Sequence, residues 1–513
     1  MPTLAPALMV QGTASSVGKS LLVTALCRIF HQQGLRVAPF KAQNMALNSF
    51  VTPDGKEIGR AQAVQAEAAG IAPAVEMNPI LLKPEGGRRS QLVVLGKPVG
   101  SIRFGDGDDR QPELRQVIAD SLRRLRESYE LVVIEGAGSP AEINLKARDI
   151  VNMHVARLAD APVILVGDID RGGVFAQFVG TMELLEPDER ARVAALAINK
   201  FRGDIALLQP GVDLIVDRLK VPMLGVIPYI ERLRIADEDS VALEERRFHR
   251  GGSATELDIA VVRLPRISNY DDFQPLEHEP EVVLRFVETP RELSGADLVI
   301  LPGSKSTAAD LAWLRAGGIG LAIVERARRG APVLGICGGC QMLGQTLDDP
   351  DGVESPVRIT AGLGVLAIRT RFAREKLTAQ VRARINGESF LTGVGVASGE
   401  ELEAYEIHMG MVEPVGEVVG AFGVLSRNGE AVSAFDGAIG CEGAVVGTML
   451  HGLFENDSLR ASMIRSLRRR KGLGEPAVTT PISSRDSEYD RLAATVHRNI
   501  DVALLQRLAG LRR

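Results

Sequence analysis

The segment MVQGTASSVGKSLLV at residues 9–23 contains the residue types that bind phosphate groups. Gly12 and Gly18 permit a tight backbone turn whose N–H groups face an anion, and the helix that follows adds the positive end of its dipole. Lys19 is placed to reach the terminal phosphates, and Ser20 to ligate Mg²⁺. We therefore predict a site for a nucleotide and Mg²⁺ here, in preference to a glycine-rich turn with an incidental lysine.

Glu135 is the candidate second ligand for Mg²⁺. It ends the buried run within LVVIEGAGSPAEINL, where a carboxylate can reach a metal ion beside Ser20. The segment FKAQNMALNS ends the second predicted strand with Lys41, Asn44 and Asn48, which are candidates to contact the reacting phosphoryl group or the substrate. The alternatives are a solvated turn for Glu135 and a surface position for Lys41.

Two later segments also place polar residues where predicted strands end. VGDIDRGGVFAQ contains Asp168, Asp170 and Arg171, and INKFRGD contains Asn199 and Lys200. Ligands bind at the carboxyl ends of the strands in an open α/β sheet. We predict that the first group contacts the substrate or the phosphoryl group, and that the second contacts the adenine edge. The alternative for each segment is an ordinary loop.

The segment PVLGICGGCQMLGQ predicts a nucleophilic cysteine at the end of a buried strand. Small neighbours allow the sharp, strained turn that exposes the side chain of Cys337. The N–H group of Gly338 is a candidate oxyanion donor, and the segment LPGSKS offers a second donor near Gly303. Cys340 completes a Cys-x-x-Cys pair, so a redox or metal role is the alternative, although the chain has no second such pair.

A thiol nucleophile needs a base, and two of the seven histidines are candidates. His451 directly follows the strand-like run GAVVGTML, so its imidazole can approach Cys337 from a strand end. His408, in AYEIHMG, is the competitor, and we expect it to position the substrate. Because a single histidine is often structural, the residues alone do not decide between them.

All these residues require strands that end at one edge of a sheet. The runs ALMVQG, LRVAPFK, LVVIEG, APVILVGD, VAALAINK and VPMLGVIP are short and apolar on both faces, which is typical of a buried parallel sheet. The segment KSLLVTALCRIFHQQG has helical spacing and ends at a glycine. We predict a doubly wound α/β domain over residues 1–250.

A second doubly wound α/β domain is predicted over residues 251–513. It follows a charged segment at 231–256, which we interpret as a linker. Its strand-like runs are LDIAVVRLP, VVLRFV, DLVILPG, PVLGICGG, GLGVLAI and GAVVGTML. The tail YDRLAATVHRNIDVALLQRLAGL has helical periodicity, and we expect it to pack on this second domain.

Composition excludes several classes of protein. The chain has 513 residues, 45% hydrophobic and 24% charged, with a net charge of −5 and one tryptophan. This favours a globular protein, and neither nucleic acid nor a membrane is an expected partner. Four cysteines in a chain of this length do not form a disulfide framework, so we expect a reducing compartment, the cytoplasm.

Two families resemble the two halves of the chain. GTASSVGKS, whose loop is one residue longer than the common pattern, resembles dethiobiotin synthetase and its ATP-dependent relatives, which activate carboxylates or carbamates. That family places a lysine at the position of Lys41, near the reacting phosphoryl group. GICGGCQMLG with a later strand-end histidine resembles the class I glutamine amidotransferases, which implies that His451 is the base. Their base usually reads His-Pro-Glu, whereas the residues here are His451, Gly452 and Leu453, as in the cobalamin-pathway amidotransferases.

The combination resembles the cobyric acid synthase family over nearly the whole chain. The segments that carry this resemblance are VQGTASSVGKS, PFKAQNMALNS, EGAGSPAEINL, DIDRGGVFAQ, NKFRGD, LPGSKST, YEIHMG and HGLFEN. The resemblance implies that glutamine supplies ammonia, and that four peripheral carboxylates of a corrinoid substrate, adenosylcobyrinic acid a,c-diamide, are amidated with ATP.

The sequence leaves three alternative functions open. The cobyrinic acid a,c-diamide synthases have the same two domains but a different string at EGAGSPAEINL. A partition-type P-loop ATPase would carry a second domain without catalytic function, and a cell-wall amidotransferase would carry ligase-type substrate domains. The order of the amidations, the oligomeric state and the route of ammonia are not predicted.

Overall fold

The structure is a computed structural model that describes residues 4–86, 89–103, 110–231, 233–235, 255–392, 400–474 and 485–511. It forms two α/β units, each built around a sheet of six strands. All strands of the first sheet run parallel, and the second sheet has one antiparallel strand at its edge. This confirms the predicted fold class. Most of the predicted linker, and the predicted boundary after residue 250, lie outside the described residues, so that boundary stays a prediction.

The first unit contains twelve strands and seven helices among its described residues. The strands are β1 (Ala7–Gly12), β2 (Val37–Phe40), β3 (Gln43–Met45), β4 (Ser49–Val51), β5 (Glu57–Gly59), β6 (Ile80–Gly86), β7 (Arg89–Val94), β8 (Lys97–Arg103), β9 (Leu131–Glu135), β10 (Val163–Asp168), β11 (Val193–Phe201) and β12 (Met223–Pro228). The helices are α1 (Lys19–Gln32), α2 (Arg60–Ala68), α3 (Gln111–Ser128), α4 (Met153–Ala159), α5 (Val174–Leu184), α6 (Pro187–Arg190) and α7 (Ile205–Leu219).

The main sheet of the first unit has the order β12-β11-β10-β1-β9-β2, and all its neighbours run parallel. Alternate residues of a strand point to opposite faces. In β1, Leu8 and Val10 belong to the core under α1, whereas Ala7 and Met9 belong to the core under α3 and α5. Helices therefore cover both faces, which explains why these strands are continuously apolar.

The second unit is built on a sheet with the order β14-β13-β15-β16-β24-β23, and a mixed sheet of seven strands lies beside it. Its strands are β13 (Leu257–Val262), β14 (Val282–Val287), β15 (Leu298–Leu301), β16 (Val333–Ile336), β17 (Thr346–Asp348), β18 (Ile359–Ala361), β19 (Ile368–Ile385), β20 (Glu401–Pro414), β21 (Phe422–Arg427), β22 (Glu430–Asp436), β23 (Ala438–Gly440), β24 (Val445–Thr448) and β25 (Leu450–His451). Its helices are α8 (Gln274–Glu277), α9 (Thr307–Ala316), α10 (Ile319–Arg328), α11 (Gly338–Leu343) and α12 (Asp457–Arg470).

The strand predicted at GLGVLAI is wrong, because this run is a loop and β19 begins only at Ile368. Leu366 is nevertheless buried. A Cβ atom at Gly362 would lie 2.0 Å from the carbonyl oxygen of Gly344. The run is thus apolar and glycine-rich because it packs closely against the core, not because it forms a strand.

The two units contact each other through the small strands of the first unit. Lys376 on β19 forms an ion pair with Glu57 on β5 at 2.5 Å. The Thr378 hydroxyl donates a hydrogen bond to the Gly55 carbonyl oxygen at 2.6 Å. The buried ion pair and the hydrogen bond join the long hairpin of the second unit to the hairpin β4–β5.

The C-terminal tail forms α13 (Arg485–Arg498) and α14 (Val502–Leu508), and these helices pack on the first unit. Tyr489 donates a hydrogen bond to Glu67 at 2.8 Å, and Asp490 accepts one from Arg28 at 2.7 Å. Leu492 belongs to the core under α1. The prediction that the tail packs on the second domain is therefore wrong. The apolar face of α13 instead packs against α1 in the first unit.

No helix in the described ranges is by itself both long and apolar enough to cross a membrane. The pair α9 and α10 meets that criterion only when taken together across an 85° bend.

Candidate active sites

The phosphate loop joins the end of β1 to the start of α1. Gly18 has a φ angle of 95°, a left-handed conformation that glycine adopts readily. The Lys19 ammonium lies 3.0 Å from the Ala14 carbonyl oxygen and 3.1 Å from that of Gly138, so it is held over the loop. No side chain in the described part of the chain caps α1. Its N-terminal N–H groups therefore suit a phosphate, as predicted from Gly12, Gly18 and Lys19.

Glu135, at the carboxyl end of β9, contacts two other predicted residues of the phosphate site, Ser20 and Lys41. Its carboxylate is fully buried and lies 2.9 Å from the Ser20 hydroxyl and 2.9 Å from the Lys41 ammonium. Gln65 on α2, which the sequence did not suggest, donates to the second carboxylate oxygen at 2.5 Å. A hydroxyl and a carboxylate at this distance fit the oxygen ligands that Mg²⁺ prefers.

The opposite wall of the nucleotide cleft comes from β10 and β11. Asp168 accepts hydrogen bonds from Lys200 Nζ at 2.9 Å and from the backbone N–H of Asp170 at 2.8 Å. Asn199 and Lys200 also donate to carbonyl oxygens of the phosphate loop at 2.9 and 2.8 Å. These side chains and Arg171 line the cleft beside Lys19. Asn199 and Lys200 therefore brace the loop, and their contact with adenine stays a prediction.

Two predicted residues do not line the nucleotide cleft. Asn44 donates to Gln62 at 3.0 Å, and Asn48 accepts a hydrogen bond from the backbone N–H of Tyr270 in the second unit at 3.2 Å. After Lys41 the chain enters β3, which pairs with β6 and leads away from the main sheet. Asn48 thus lies at the contact between the units, whereas Asn44 bonds within the first unit. Neither contact supports a phosphoryl role for these residues.

Cys337 occupies the sharp turn between β16 and α11, as the nucleophile-elbow pattern predicts. Its φ and ψ angles are 49° and −110°, a strained conformation for a residue with a side chain. A Cβ atom at position 339 would lie 1.8 Å from the Leu301 carbonyl oxygen, so this approach requires Gly339. The turn fixes the thiol at the carboxyl edge of the parallel sheet.

His451 and Asp272 are arranged with Cys337 as the members of a catalytic triad are. His451 Nδ1 lies 2.6 Å from Asp272 Oδ2, and the Cys337 thiol is close enough to raise the pKa of the imidazole. The backbone N–H of Gly452 donates to Asp272 Oδ1 at 2.9 Å, which fixes the carboxylate. All three side chains are buried. This is the nucleophile, base and orienting acid arrangement of acyl-transfer enzymes.

Asp272 is the functional residue that the sequence reading missed. It lies 179 residues before His451, in the short helix of the segment SNYDDFQP after β13. The Glu that usually follows the base is absent, and Glu455 instead forms an ion pair with Arg485 at 2.5 Å. The available signal was a carboxylate shortly after a predicted strand, which is where ligand-binding loops of an α/β sheet lie.

The electrostatics distinguish the two candidate bases. Burial alone lowers the pKa of His451, but the charge and hydrogen bond of Asp272, with the Cys337 contact, raise the pKa to about 10. Burial lowers the pKa of His408, whose Nδ1 lies 2.9 Å from the Gly410 carbonyl oxygen. His451 therefore has the carboxylate partner of a triad histidine, whereas His408 hydrogen bonds to a backbone oxygen.

A cavity of about 540 Å³ opens onto Cys337 and is lined by both units. His408 and Gln341 lie on its wall, and a role of His408 in positioning the substrate stays a prediction. A Cβ atom at Gly338 would lie 2.8 Å from the backbone nitrogen of Ser304. The backbone nitrogen of Ser304, the residue after the predicted Gly303, is therefore a further candidate for the second oxyanion donor, and both assignments stay predictions.

Cys340 is a packing residue. It is fully buried in α11, and burial raises the pKa of its thiol well above the ordinary value. A Cβ atom at Gly447 would lie 2.8 Å from its sulfur, which locates the thiol against β24. Within the described ranges, no three His, Cys, Asp or Glu side chains are grouped to hold a metal ion. The redox or metal interpretation of Cys-x-x-Cys therefore has no support in the geometry.

Comparisons with known proteins agree with both sites. Residues 8–242 match the CobQ/CobB/MinD/ParA nucleotide binding domain, and residues 258–459 match the CobB/CobQ-like glutamine amidotransferase domain. The cobyric acid synthase of Sorangium cellulosum is 64% identical, over 98% of this chain and 99% of its own length.

Two further relatives bear the same name. The cobyric acid synthase of Desulforamulus reducens is 51% identical over 99% of both chains, and that of Moorella thermoacetica is 51% identical over 99% of this chain and 98% of its own. With a phosphate loop in one unit, a cysteine triad in the other, and this similarity along its whole length, the chain belongs to the cobyric acid synthase family.

Proposed function

We propose that this protein amidates the four peripheral carboxylates of adenosylcobyrinic acid a,c-diamide, with glutamine as the nitrogen donor and ATP as the activating substrate. The observation that carries the proposal is the pairing of two complete sites in one chain. The Cys337–His451–Asp272 triad can release ammonia, and the cleft at Lys19 and Glu135 can bind the nucleotide.

Activation of the carboxylate takes place in the first unit. A substrate carboxylate oxygen attacks the γ-phosphorus of ATP, the bond from that phosphorus to the ADP oxygen breaks, and an acyl phosphate forms. Lys19 binds and orients the terminal phosphates, and Lys41, beside Glu135, neutralises charge on the transferred group. Ser20 and Glu135 would hold Mg²⁺, which supplies further charge neutralisation when bound.

Ammonia is released in the second unit. The Cys337 sulfur attacks the side-chain amide carbon of glutamine, and the N–H groups of Gly338 and Ser304 face the oxygen that becomes negative. His451 accepts the thiol proton and passes it to the departing nitrogen; the carbon–nitrogen bond breaks, ammonia leaves, and Asp272 holds the imidazolium in place. Water then hydrolyses the thioester to glutamate, and the ammonia displaces phosphate from the acyl phosphate.

Cys337→Ala tests this division of labour. The variant should lose glutamine-dependent amidation by several orders of magnitude, because a covalent nucleophile is removed. It should still amidate with ATP and concentrated ammonium at mildly alkaline pH, and mass spectrometry should count four added amides. Cys340→Ala is the matched control and should retain most glutamine-dependent synthesis.

Two results would contradict the proposal. Equal damage by both cysteine substitutions, without rescue by ammonium, would indicate a redox or metal pair. Amidation of only two carboxylates, starting from cobyrinic acid, would indicate an a,c-diamide synthase.

All four cysteines are free thiols in the structure, which supports a reducing compartment such as the cytoplasm.

A further inference from the structure

The loop that carries the triad acid is held by the first unit. The backbone N–H of Tyr270 donates to Asn48 at 3.2 Å, and the backbone N–H of Ser49 donates to Asn269 Oδ1 at 3.0 Å. The amide of Asn269 in turn lies 3.5 Å from His451 Nε2. Hydrogen bonds between the units therefore end beside the catalytic imidazole.

Arg60 provides the charged part of this contact. It begins α2 in the first unit, and its Nε lies 3.0 Å from Asp271 Oδ2 in the second unit. The two side chains are 7% and 4% exposed, so water screens this pair weakly. The guanidinium also lies over the Phe50 ring, 5.5 Å from its centroid. Arg60 is thus fixed by a carboxylate on one side and a ring on another.

Asp271 is the neighbour of the triad acid, which makes its charge important for the triad. Burial and the adjacent Asp272 raise the pKa of Asp271 to about 6, although Arg60 acts to lower it. Two adjacent buried carboxylates repel each other unless a cation compensates. Without Arg60, Asp271 becomes protonated or changes position, and in either case the ion pair that ties the 269–272 loop to α2 is lost. The short helix from which Asp272 reaches His451 is then held less firmly.

The same helix also touches the nucleotide site. Gln65, five residues after Arg60 on α2, donates to the Glu135 carboxylate at 2.5 Å. Five residues of α-helix span about 7.5 Å along the axis. One helix therefore contacts the triad loop through its first residue and, through its sixth, the carboxylate assigned to Mg²⁺.

We propose that Arg60 is a positioning residue for the glutaminase triad, and that α2 couples the nucleotide site to glutamine cleavage. Arg60 does not line the cavity that opens onto Cys337. It neutralises Asp271, holds the 269–272 loop, and so keeps Asp272 against His451. The proposal rests on the amidotransferase function given above, because it describes how one half-reaction responds to the other site.

The test is Arg60→Ala in the full-length enzyme, with glutamine hydrolysis and ammonium-driven synthesis measured separately. We expect kcat for glutamine hydrolysis to fall about 10–100-fold, with KM for glutamine changed by less than about threefold. Such a loss is typical of misaligned catalytic groups. Ammonium-driven synthesis, including KM for the corrinoid, should stay within about twofold of wild type. In wild type, MgATP should raise glutamine hydrolysis, and this response should be absent in Arg60→Ala.

Two further variants separate positioning from folding. Arg60→Lys keeps the positive charge, and its kcat for glutamine hydrolysis should be at least tenfold higher than that of Arg60→Ala. Arg460→Ala breaks another buried arginine pair, with Glu279 at 2.6 Å, outside the triad loop. It should lower stability but leave kcat for glutamine hydrolysis within about twofold.

Several outcomes would overturn the proposal. Unchanged glutamine hydrolysis in Arg60→Ala would exclude a positioning role. An equal fall in both activities, or in Arg60→Lys and Arg460→Ala as well, would indicate a structural role only. A raised KM for the corrinoid would indicate substrate binding by Arg60, and a wild-type enzyme indifferent to MgATP would refute the coupling. Failure of ammonium-driven synthesis in wild type would instead reject the proposed function.

Discussion

Asp272→Asn changes one atom of the triad and tests its geometry. In the wild type, Asp272 Oδ1 accepts from the Gly452 N–H at 2.9 Å, while Oδ2 faces His451 Nδ1 at 2.6 Å. An amide has only one oxygen, so it cannot accept at both positions. If its oxygen stays on Gly452, its NH₂ group faces Nδ1 and forces the imidazole proton onto Nε2. The histidine can then no longer accept the proton of the Cys337 thiol.

The size of the effect follows from the charge on the imidazole. The pKa of His451 rises from 6.5 to about 10, against the effect of burial and mainly through Asp272. Asp272 therefore stabilises the imidazolium, and the amide removes this stabilisation as well as the correct tautomer. Loss of the correct tautomer in a triad costs roughly 10³–10⁴-fold in turnover, so glutamine-dependent turnover should fall at least about 10³-fold.

The assay compares glutamine-dependent with ammonium-dependent synthesis in the same preparation. Asp272→Asn should lose only the first, because the acid takes no part in phosphoryl transfer. Glu455→Gln is the matched control, since this is the glutamate nearest in sequence to the base but paired with Arg485. Retention of more than a tenth of the wild-type glutamine activity in Asp272→Asn would refute the triad assignment, as would a comparable loss in Glu455→Gln.

The remaining predictions concern the nucleotide site, the tail and pH. Lys19→Ala should abolish synthesis with glutamine and with ammonium alike, since activation precedes both; ammonium-driven product at the wild-type rate would reject the phosphate-loop assignment. Leu492→Ala should cost about 2–5 kcal/mol and speed hydrogen exchange in α1, whereas unchanged exchange there would contradict the packing of the tail. The folded pKa of His451 lies above its unfolded value of about 6.5, so its pairing with Asp272 stabilises the fold fully below pH 6.5. This contribution is lost as the pH rises to about 10. Urea unfolding should therefore show the stability difference between wild type and Asp272→Asn shrinking from pH 7 to 10, and a constant difference would contradict the raised pKa.

Local sequence patterns were sufficient for the sites that lie within one strand–turn–helix unit. Lys19 and Ser20 follow a glycine at a strand end, and Cys337 sits among small residues at another. In both cases the backbone turn, the neighbouring helix and the reactive side chain belong to one short segment. Their geometry is therefore fixed by residues close in the chain, and the predicted positions agree with the structure.

Those local patterns did not predict contacts between segments that are distant in the chain. The tail has an apolar helical face, but periodicity shows only that this face is buried, not which surface covers it. The same limit explains GLGVLAI, whose apolar run is buried without forming a strand. Asn44 and Asn48 were placed by their distance from a strand end, whereas the pairing of β3 with β6 decides where they lie.

The sequence by itself determined the fold class, and it predicted the phosphate loop, a cysteine nucleophile at a strand end and, through the resemblance to a known family, the histidine base. Only the tertiary structure decided that Asp272 orients this base, that Arg60 of the other unit neutralises its neighbour Asp271, and that the chain's two ends form one unit. The physical reason is that an ion pair or a shared core depends on distance in space. The order of residues does not show that two partners 179 residues apart in the chain lie in contact.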